Sequence, residues 1–140
     1  TAISAETWDS ATSTDLFGNV NVDYSAVYGV QNFNNDIDFG NLDAGTIGVT
    51  SVWYTRKGKE IVEFDMRLNT DYMWGNTDIT PGYMDIQNIV THELGHAVGL
   101  RDLYTNACSS VTMYGYSGYN ETSKRSLEQA DITGLQRMYG

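Results

Sequence analysis

The chain has 140 residues, of which 41% are hydrophobic and 12% aromatic, and this composition excludes a disordered or low-complexity protein. Eight basic residues against 18 acidic ones give a formal net charge of −10, which argues against a protein that binds a nucleic-acid backbone. No apolar run is long enough for a transmembrane helix, so we expect no membrane partner. The length predicts one domain over residues 1–140.

The N-terminal third combines a predicted helix, a strand and an acidic loop. Apolar residues at helical spacing predict a helix over 2–12, and the β-forming residues of 20–31 predict a strand. Residues 32–45 are dense in Asn, Asp and Gly, which is typical of a loop. Residues 1–55 contain seven acidic residues and no Lys or Arg. These carboxylates serve either solubility or the binding of a hard cation such as calcium.

The middle of the chain contains the clearest strand pattern. In the strand predicted over 61–68, apolar residues alternate with charged ones from Val62 to Leu68. A second strand is predicted over 46–54, and the short turn between the two predicts a β-hairpin.

Two further helices are predicted after the loop at 69–84. Asp85 is expected to cap a helix that runs to about Val98, where Gly99 ends it. Ser126 and Gln129 have the spacing of a capping box, which predicts that the last helix begins at Ser126.

The middle helix contains the string His92-Glu93-Leu94-Gly95-His96. Residues four apart lie on one helix face, so both imidazoles can bind a single metal ion. Glu93 can then act as the base that takes a proton from a water activated by the metal. Two idle histidines on a surface helix are the alternative. Because the chain contains no other histidine, we favour a single zinc site.

Zinc in a hydrolase needs a third protein ligand, and Asp102 follows Gly99 by three residues. The complete string, H-E-x-x-H-x-x-G-x-x-D, resembles the signature of the metzincin metallopeptidases. Its terminal Asp is similar to the snapalysin branch, whereas most metzincins have His there. The resemblance implies that His92, His96 and Asp102 bind zinc and that Glu93 is catalytic.

The same resemblance assigns roles outside the zinc string. Met113 matches the methionine of the turn beneath the metal. Tyr114 and Tyr116 flank the position of a tyrosine that stabilises the transition state in some members. Asp131 is expected to hydrogen-bond the methionine turn, and the loop 115–125 to line a substrate pocket. Substrate is expected to add as a strand to a stretch of backbone made up of Gly48, Val49, Thr50 and Ser51.

As a whole, the resemblance to matrixin-like metzincins implies an α+β fold. It would have a mixed, twisted sheet of four to five strands, three helices, and a cleft between a larger upper and a small lower subdomain. Matrixins begin with a strand before the first helix, so either an upstream strand or pro-segment is missing from this chain or the sheet is reduced. A second, structural zinc is not expected, but Asp38 and Asp43 are candidate calcium ligands. The implied protein is a secreted, monomeric zinc endopeptidase that acts on proteins or peptides.

Two alternatives remain at this point. Glu128 and Asp131 have the E-x-x-D spacing of the gluzincins, in which Glu128 would be the third zinc ligand. A zinc-binding module without turnover is the other alternative, although such a module has no use for a base at Glu93.

Overall fold

The computed structural model describes residues 1–140 and contains three helices and five strands. Two single-turn 3₁₀ helices lie at Asn106–Cys108 and Ser123–Arg125. No helix is long and apolar enough to cross a bilayer. The elements in chain order are α1 (Ala2–Asp9), β1 (Asp36–Gly40), β2 (Gly48–Tyr54), β3 (Ile61–Asn69), β4 (Trp74–Gly75), β5 (Met84–Asp85), α2 (Ile86–Ala97) and α3 (Gln129–Tyr139).

The main sheet is mixed and has the order β1-β3-β2. β1 runs parallel to β3, and β2 runs antiparallel to it, as the predicted hairpin requires. The expectation of a single sheet of four to five strands is not met, since β4 and β5 form a separate two-stranded pair. β2 is therefore an edge strand, with one side of its backbone unpaired by the sheet.

The core lies between the sheet and α2. Met66 and Leu68 on β3 and Leu94 on α2 are almost completely buried there, together with Trp8 of α1. The indole nitrogen of Trp8 donates to the carbonyl oxygen of Thr91 at 2.8 Å, which fixes α1 against α2. Burial of these large side chains is the main stabilising contribution to the position of α2.

The strand predicted over 20–31 is wrong, because this segment has no regular secondary structure. Its backbone N–H groups donate to buried carboxylates of the sheet instead of to a neighbouring strand. Gly29 N donates to Asp65 at 2.7 Å, and Val27 N donates to Asp36 at 3.1 Å. The segment therefore covers the sheet face opposite α2 as a loop held by side-chain acceptors.

The loop predicted at 32–45 is also partly wrong, since β1 lies within it. Asp36 pairs in register with Asp65 of β3, and its backbone N–H donates to the Asp65 carboxylate at 3.2 Å. Likewise, the loop predicted at 69–84 contains the short β4 and the first residue of β5.

The helix boundaries follow their caps. Asp85 caps α2 as predicted, accepting a hydrogen bond from Asn88 N at 2.8 Å. α1 ends at Asp9 rather than at residue 12, and Asp9 then accepts the backbone N–H of Leu16. The capping box predicted at Ser126 is wrong: α3 begins at Gln129, capped by Glu128.

Candidate metal centre and active site

Both histidines project from α2, one helical turn apart, with ring centroids separated by 4.9 Å. Each ring is oriented by a carbonyl group near its Nδ1 atom. His92 Nδ1 lies 2.7 Å from Thr112 O, and His96 Nδ1 lies 2.8 Å from Leu100 O. A carbonyl can only accept, so each Nδ1 carries the hydrogen and each Nε2 is free to bind a metal.

Asp102 reaches the histidines because the chain turns sharply after α2. Gly99 adopts φ +101°, a conformation that side chains disfavour, and it lets the backbone double back. Asp102 Oδ1 then lies 3.0 Å from His92 Nε2 and 3.4 Å from His96 Nε2. The three sequence-predicted ligands thus converge on one point.

The geometry of these three atoms fits a zinc ion. Ligand atoms at 2.0–2.2 Å from a tetrahedral zinc lie roughly 3.3–3.6 Å apart, close to the separations found here. The Asp102 Oδ1 atom is buried and lacks a hydrogen-bond partner of acceptable geometry. A buried, unsatisfied carboxylate oxygen is costly, and a bound cation would offset that cost.

The electrostatics of the centre favour an ionised Asp102. Burial alone raises the pKa of Asp102, but the neighbouring imidazoles of His92 and His96 outweigh burial and hold this pKa well below its usual range. Burial lowers the pKa of His96, yet the adjacent carboxylates of Asp102 and Glu93 raise it overall. The centre therefore contains a fixed anion facing two imidazole nitrogens.

Glu93 lies beside the histidines and is itself buried, with 4% of its surface exposed. Ligand atoms of His92, Glu93 and His96 all lie within 4.8 Å of one another. Glu93 Oε2 accepts a hydrogen bond of 2.6 Å from the hydroxyl of Thr50 on β2. The carboxylate is thus held at the side of the centre, between α2 and the edge strand.

The floor of the centre is formed by Met113, which is 2% exposed and contacts α2 at Gly95. Asp131 of α3 fixes the turn around Met113, as expected from the sequence. Its carboxylate accepts the backbone N–H groups of Thr112 at 2.9 Å and of Met113 at 3.2 Å. It also accepts the N–H of Glu128 at 2.9 Å, which joins the turn to the start of α3.

A cavity of about 720 Å³ opens onto the centre. One wall is made by β2, including Gly48, Val49 and Thr50. Tyr116 lines the cavity, whereas Tyr114 is not among its lining residues. The Tyr114 ring instead stacks edge-on against Tyr116 at 5.6 Å.

Tyr104 contacts the centre, and the sequence analysis did not identify it. Its hydroxyl donates to Asp102 Oδ2 at 3.2 Å, and the charge of Asp102 raises the pKa of Tyr104. Gly115 makes room for the ring, because a side chain there would collide with Tyr104. Only the proximity of Tyr104 to Asp102 in sequence could have suggested this contact.

Two other predicted ligand roles lack support. Asp38 forms a two-point ion pair with Arg67 of β3, at 2.7 and 2.8 Å, so its carboxylate is already engaged. Asp43 joins no group of three or more metal-ligating side chains. Glu128 is exposed, is the N-cap of α3, and does not join the group of metal-ligating side chains formed by His92, Glu93 and His96. The structure therefore gives no support to calcium binding at Asp38 and Asp43 or to Glu128 as a zinc ligand.

The sequence matches the profile of the matrixin peptidases over residues 38–140, which contain the whole metal centre and most of the sheet. The chain belongs to the matrixin family, a family of zinc metallopeptidases.

Two curated relatives match a shorter part of the chain. Human neutrophil collagenase is 32% identical over 76 residues, which are 54% of this chain and 15% of the collagenase. Matrilysin from Rattus norvegicus is 34% identical over 76 residues, which are 54% of this chain and 27% of matrilysin. The matched part is thus well under a third of either relative's length.

Proposed function

We propose that this protein is a zinc endopeptidase in which His92, His96 and Asp102 hold the metal. The observation that carries the proposal is the convergence of Asp102 Oδ1 on both Nε2 atoms, at 3.0 and 3.4 Å. Membership of the matrixin family supports the binding of zinc by this protein. When bound, zinc would supply a Lewis acid toward the peptide carbonyl and the attacking water.

Glu93 is the proposed general base and acid. Its Oε2 atom accepts the Thr50 hydroxyl, which leaves Oε1 to take the proton of the attacking water. The same carboxyl group then passes the proton to the leaving amine. Its place next to His92 on α2 supports this role, since the carboxylate lies within 4.8 Å of both imidazoles.

The substrate is proposed to bind along the open edge of β2 as an added antiparallel strand. Ile47 O accepts the N–H of Asn69, so Ile47 faces the sheet. Because backbone groups alternate along a strand, Val49 and Ser51 also face the sheet, and Gly48 and Thr50 face the open edge. Gly48 and Thr50 would therefore supply the main-chain hydrogen bonds to the peptide.

Supporting roles are proposed for Met113 beneath the metal and for Tyr116 at the cavity wall. Tyr116 is the better candidate of the two tyrosines for stabilising the transition state, since it lines the cavity and Tyr114 does not. The loop that follows, which includes Ser117, would contact the substrate side chain after the scissile bond.

We further propose that residues 1–140 form a single catalytic domain, with a cleft between the sheet-containing part and the segment after Gly99. The protein is proposed to act as a secreted monomer on protein or peptide substrates. The net charge of −10 argues against a nucleic-acid partner.

A fluorogenic peptide library tests the proposal, with hydrolysis measured with and without a chelator. Wild-type protein should contain about one zinc per chain and lose activity with the chelator. Glu93→Ala should keep the zinc and lose activity by at least about 10²-fold, the lower range for acid–base catalysis. A protein that binds zinc but has equal, background hydrolysis in both forms would instead be a binding module.

A further inference from the structure

The side chain of Thr50 connects the edge strand to the carboxylate of Glu93. Thr50 Oγ1 lies 2.6 Å from Glu93 Oε2, within the range of a short, charge-assisted hydrogen bond. Glu93 is 4% exposed, so water competes little with this contact. No other side chain of the protein hydrogen-bonds to the Glu93 carboxylate.

Gly48, two residues earlier on β2, shapes the other half of the carboxylate's surroundings. A Cβ atom at Gly48 would lie 3.1 Å from Glu93 Oε1, closer than an ordinary van der Waals contact. The missing side chain therefore leaves Oε1 uncovered, while Thr50 binds Oε2. The face of β2 toward Glu93 therefore contacts Oε2 through a hydrogen bond and leaves Oε1 without a side-chain neighbour at position 48.

We propose that Thr50 is the positioning residue of Glu93: its hydroxyl holds Oε2 so that Oε1 remains directed toward the reacting water. This inference rests on the proposed peptidase function and extends it to a residue outside the zinc string. A carboxylate side chain has several rotatable bonds, and a single fixed hydrogen bond removes much of this freedom before substrate arrives.

The inference also links substrate binding to the base. The backbone of Thr50 faces the open edge of β2, where the peptide would add, and its side chain faces Glu93. A peptide that pairs with Thr50 would therefore also fix the strand segment that orients the carboxylate. Ser at position 50 would preserve the hydroxyl donor, whereas Val would preserve the shape and remove the donor.

The test compares Thr50→Val, Thr50→Ser and the matched control Thr70→Val, whose exposed hydroxyl bonds Asn41 at the end of β3. We expect Thr50→Val to lower kcat about tenfold or more while KM and zinc content change less than about twofold. Thr50→Ser should restore kcat to within about threefold of wild type. Thr70→Val should match wild type in every measurement. Thr50→Ala replaces Thr50→Val if the latter does not fold.

A second measurement does not depend on turnover. In the zinc-free protein, the ¹³C resonance of the Glu93 carboxyl carbon should shift in Thr50→Val and stay near its wild-type position in Thr50→Ser. Wild-type kcat in Thr50→Val, an equal loss in Thr50→Ser, or an unchanged carboxyl resonance would each overturn the inference. If wild-type protein hydrolyses no peptide, the proposed function fails, and the carboxyl resonance still tests the Thr50 contact.

Discussion

The sulfur of Met113 occupies the space in which a side chain at Gly95 would begin. Gly95 lies between the two histidines on α2, and the ring of Trp8 approaches the same position. A helix interior normally disfavours glycine by about 1 kcal/mol relative to alanine. Here the absence of a side chain allows the turn around Met113 to pack directly against the helix that presents both imidazoles.

The substitution Gly95→Ala tests this packing. We expect it to destabilise the protein by about 1–3 kcal/mol, because overpacking outweighs the gain in helix propensity. Zinc affinity should also fall as Met113 and Thr112 are displaced. The thermal midpoint and a zinc competition titration measure these effects. Gly18→Ala is the control, because an added Cβ atom at Gly18 would meet no atom within 4 Å, and equal stability of the two variants would contradict the packing described here.

The third zinc ligand is tested by substitutions at Asp102. Asp102→Ala should abolish stoichiometric zinc binding, since two imidazoles alone leave the site short of a ligand and of its anion. Asp102→Asn, which keeps an oxygen but loses the charge, should weaken binding by roughly tenfold or more. Titration against a chromophoric chelator gives both affinities. Glu128→Gln serves as the control, and loss of zinc in that variant, with retention in Asp102→Ala, would establish the gluzincin alternative.

Tyr104 is predicted to tune the zinc site through Asp102. Tyr104→Phe removes the only donor to Asp102 Oδ2 and should reduce zinc affinity by about tenfold, the lower range for residues that orient metal ligands. Tyr116→Phe provides the comparison, because the Tyr116 hydroxyl makes no hydrogen bond within the protein. If both variants bind zinc as tightly as wild type, the Tyr104 hydrogen bond has no role in metal binding.

Asp85 should make stability depend on acidic pH. Burial alone would raise its pKa, but its hydrogen bonds with Arg125 and with the backbone N–H groups of Thr77 and Asn88 lower this pKa to about 2. Because the carboxyl pKa is lower in the folded than in the unfolded protein, ionised Asp85 stabilises the fold at pH values above 3.8. This stabilisation is lost as the pH falls toward 2. The contribution is about 2 kcal/mol at neutral pH.

Denaturant unfolding at pH 6 and at pH 2 measures this contribution. Asp85→Asn should be less stable than wild type at pH 6, and the difference should nearly vanish at pH 2. Any release of metal at low pH affects both proteins alike, so their difference reports on Asp85. Asp78→Asn removes a more exposed partner of Arg125 and should have a smaller effect. A stability gap that is the same at both pH values would show that Asp85 acts only as a neutral cap.

Local sequence spacing was sufficient to predict α2 and to predict that Asp102 would lie close to His92 and His96. His92, Glu93 and His96 share one helical turn, and Gly99 with Asp102 forms the turn that follows, so no distant contact is needed to bring them together. β2 and β3 were also predicted, since their alternating pattern reflects one buried face. The sequence patterns that predict these helices and strands extend over only about ten residues each.

The errors lie where side chains far apart in sequence replace regular backbone pairing. Val22 and Tyr24 are β-formers, yet they are almost fully exposed in a loop whose N–H groups bond to Glu63 and Asp65. The polar sequence of β1 does not resemble that of a buried strand. β1 is nevertheless held in the sheet, and the Asp65 carboxylate accepts the backbone N–H of Asp36. Strand propensity measures fit to a pleated surface and cannot anticipate carboxylates that accept loop hydrogen bonds.

Contacts of the same long-range kind explain the side-chain roles in the site that were not predicted. Thr50 meets Glu93 across 43 positions of sequence, and Thr112 orients His92 across 20. Neither contact leaves a signal in spacing or composition. The string from His92 to Asp102 thus predicts zinc chemistry, whereas only the fold shows which groups orient His92 and Glu93.

The three hydrogen bonds accepted by Asp131 also set an order of events during synthesis. α2 is translated before the residues that orient its first histidine: His92 takes its orientation from the carbonyl group of Thr112, and the turn at Thr112 is held by Asp131 of α3. The helix and the finished metal centre are therefore separated in time, with the centre completed only after α3 has been made. A nascent chain would therefore contain both histidines before the contacts that align them exist.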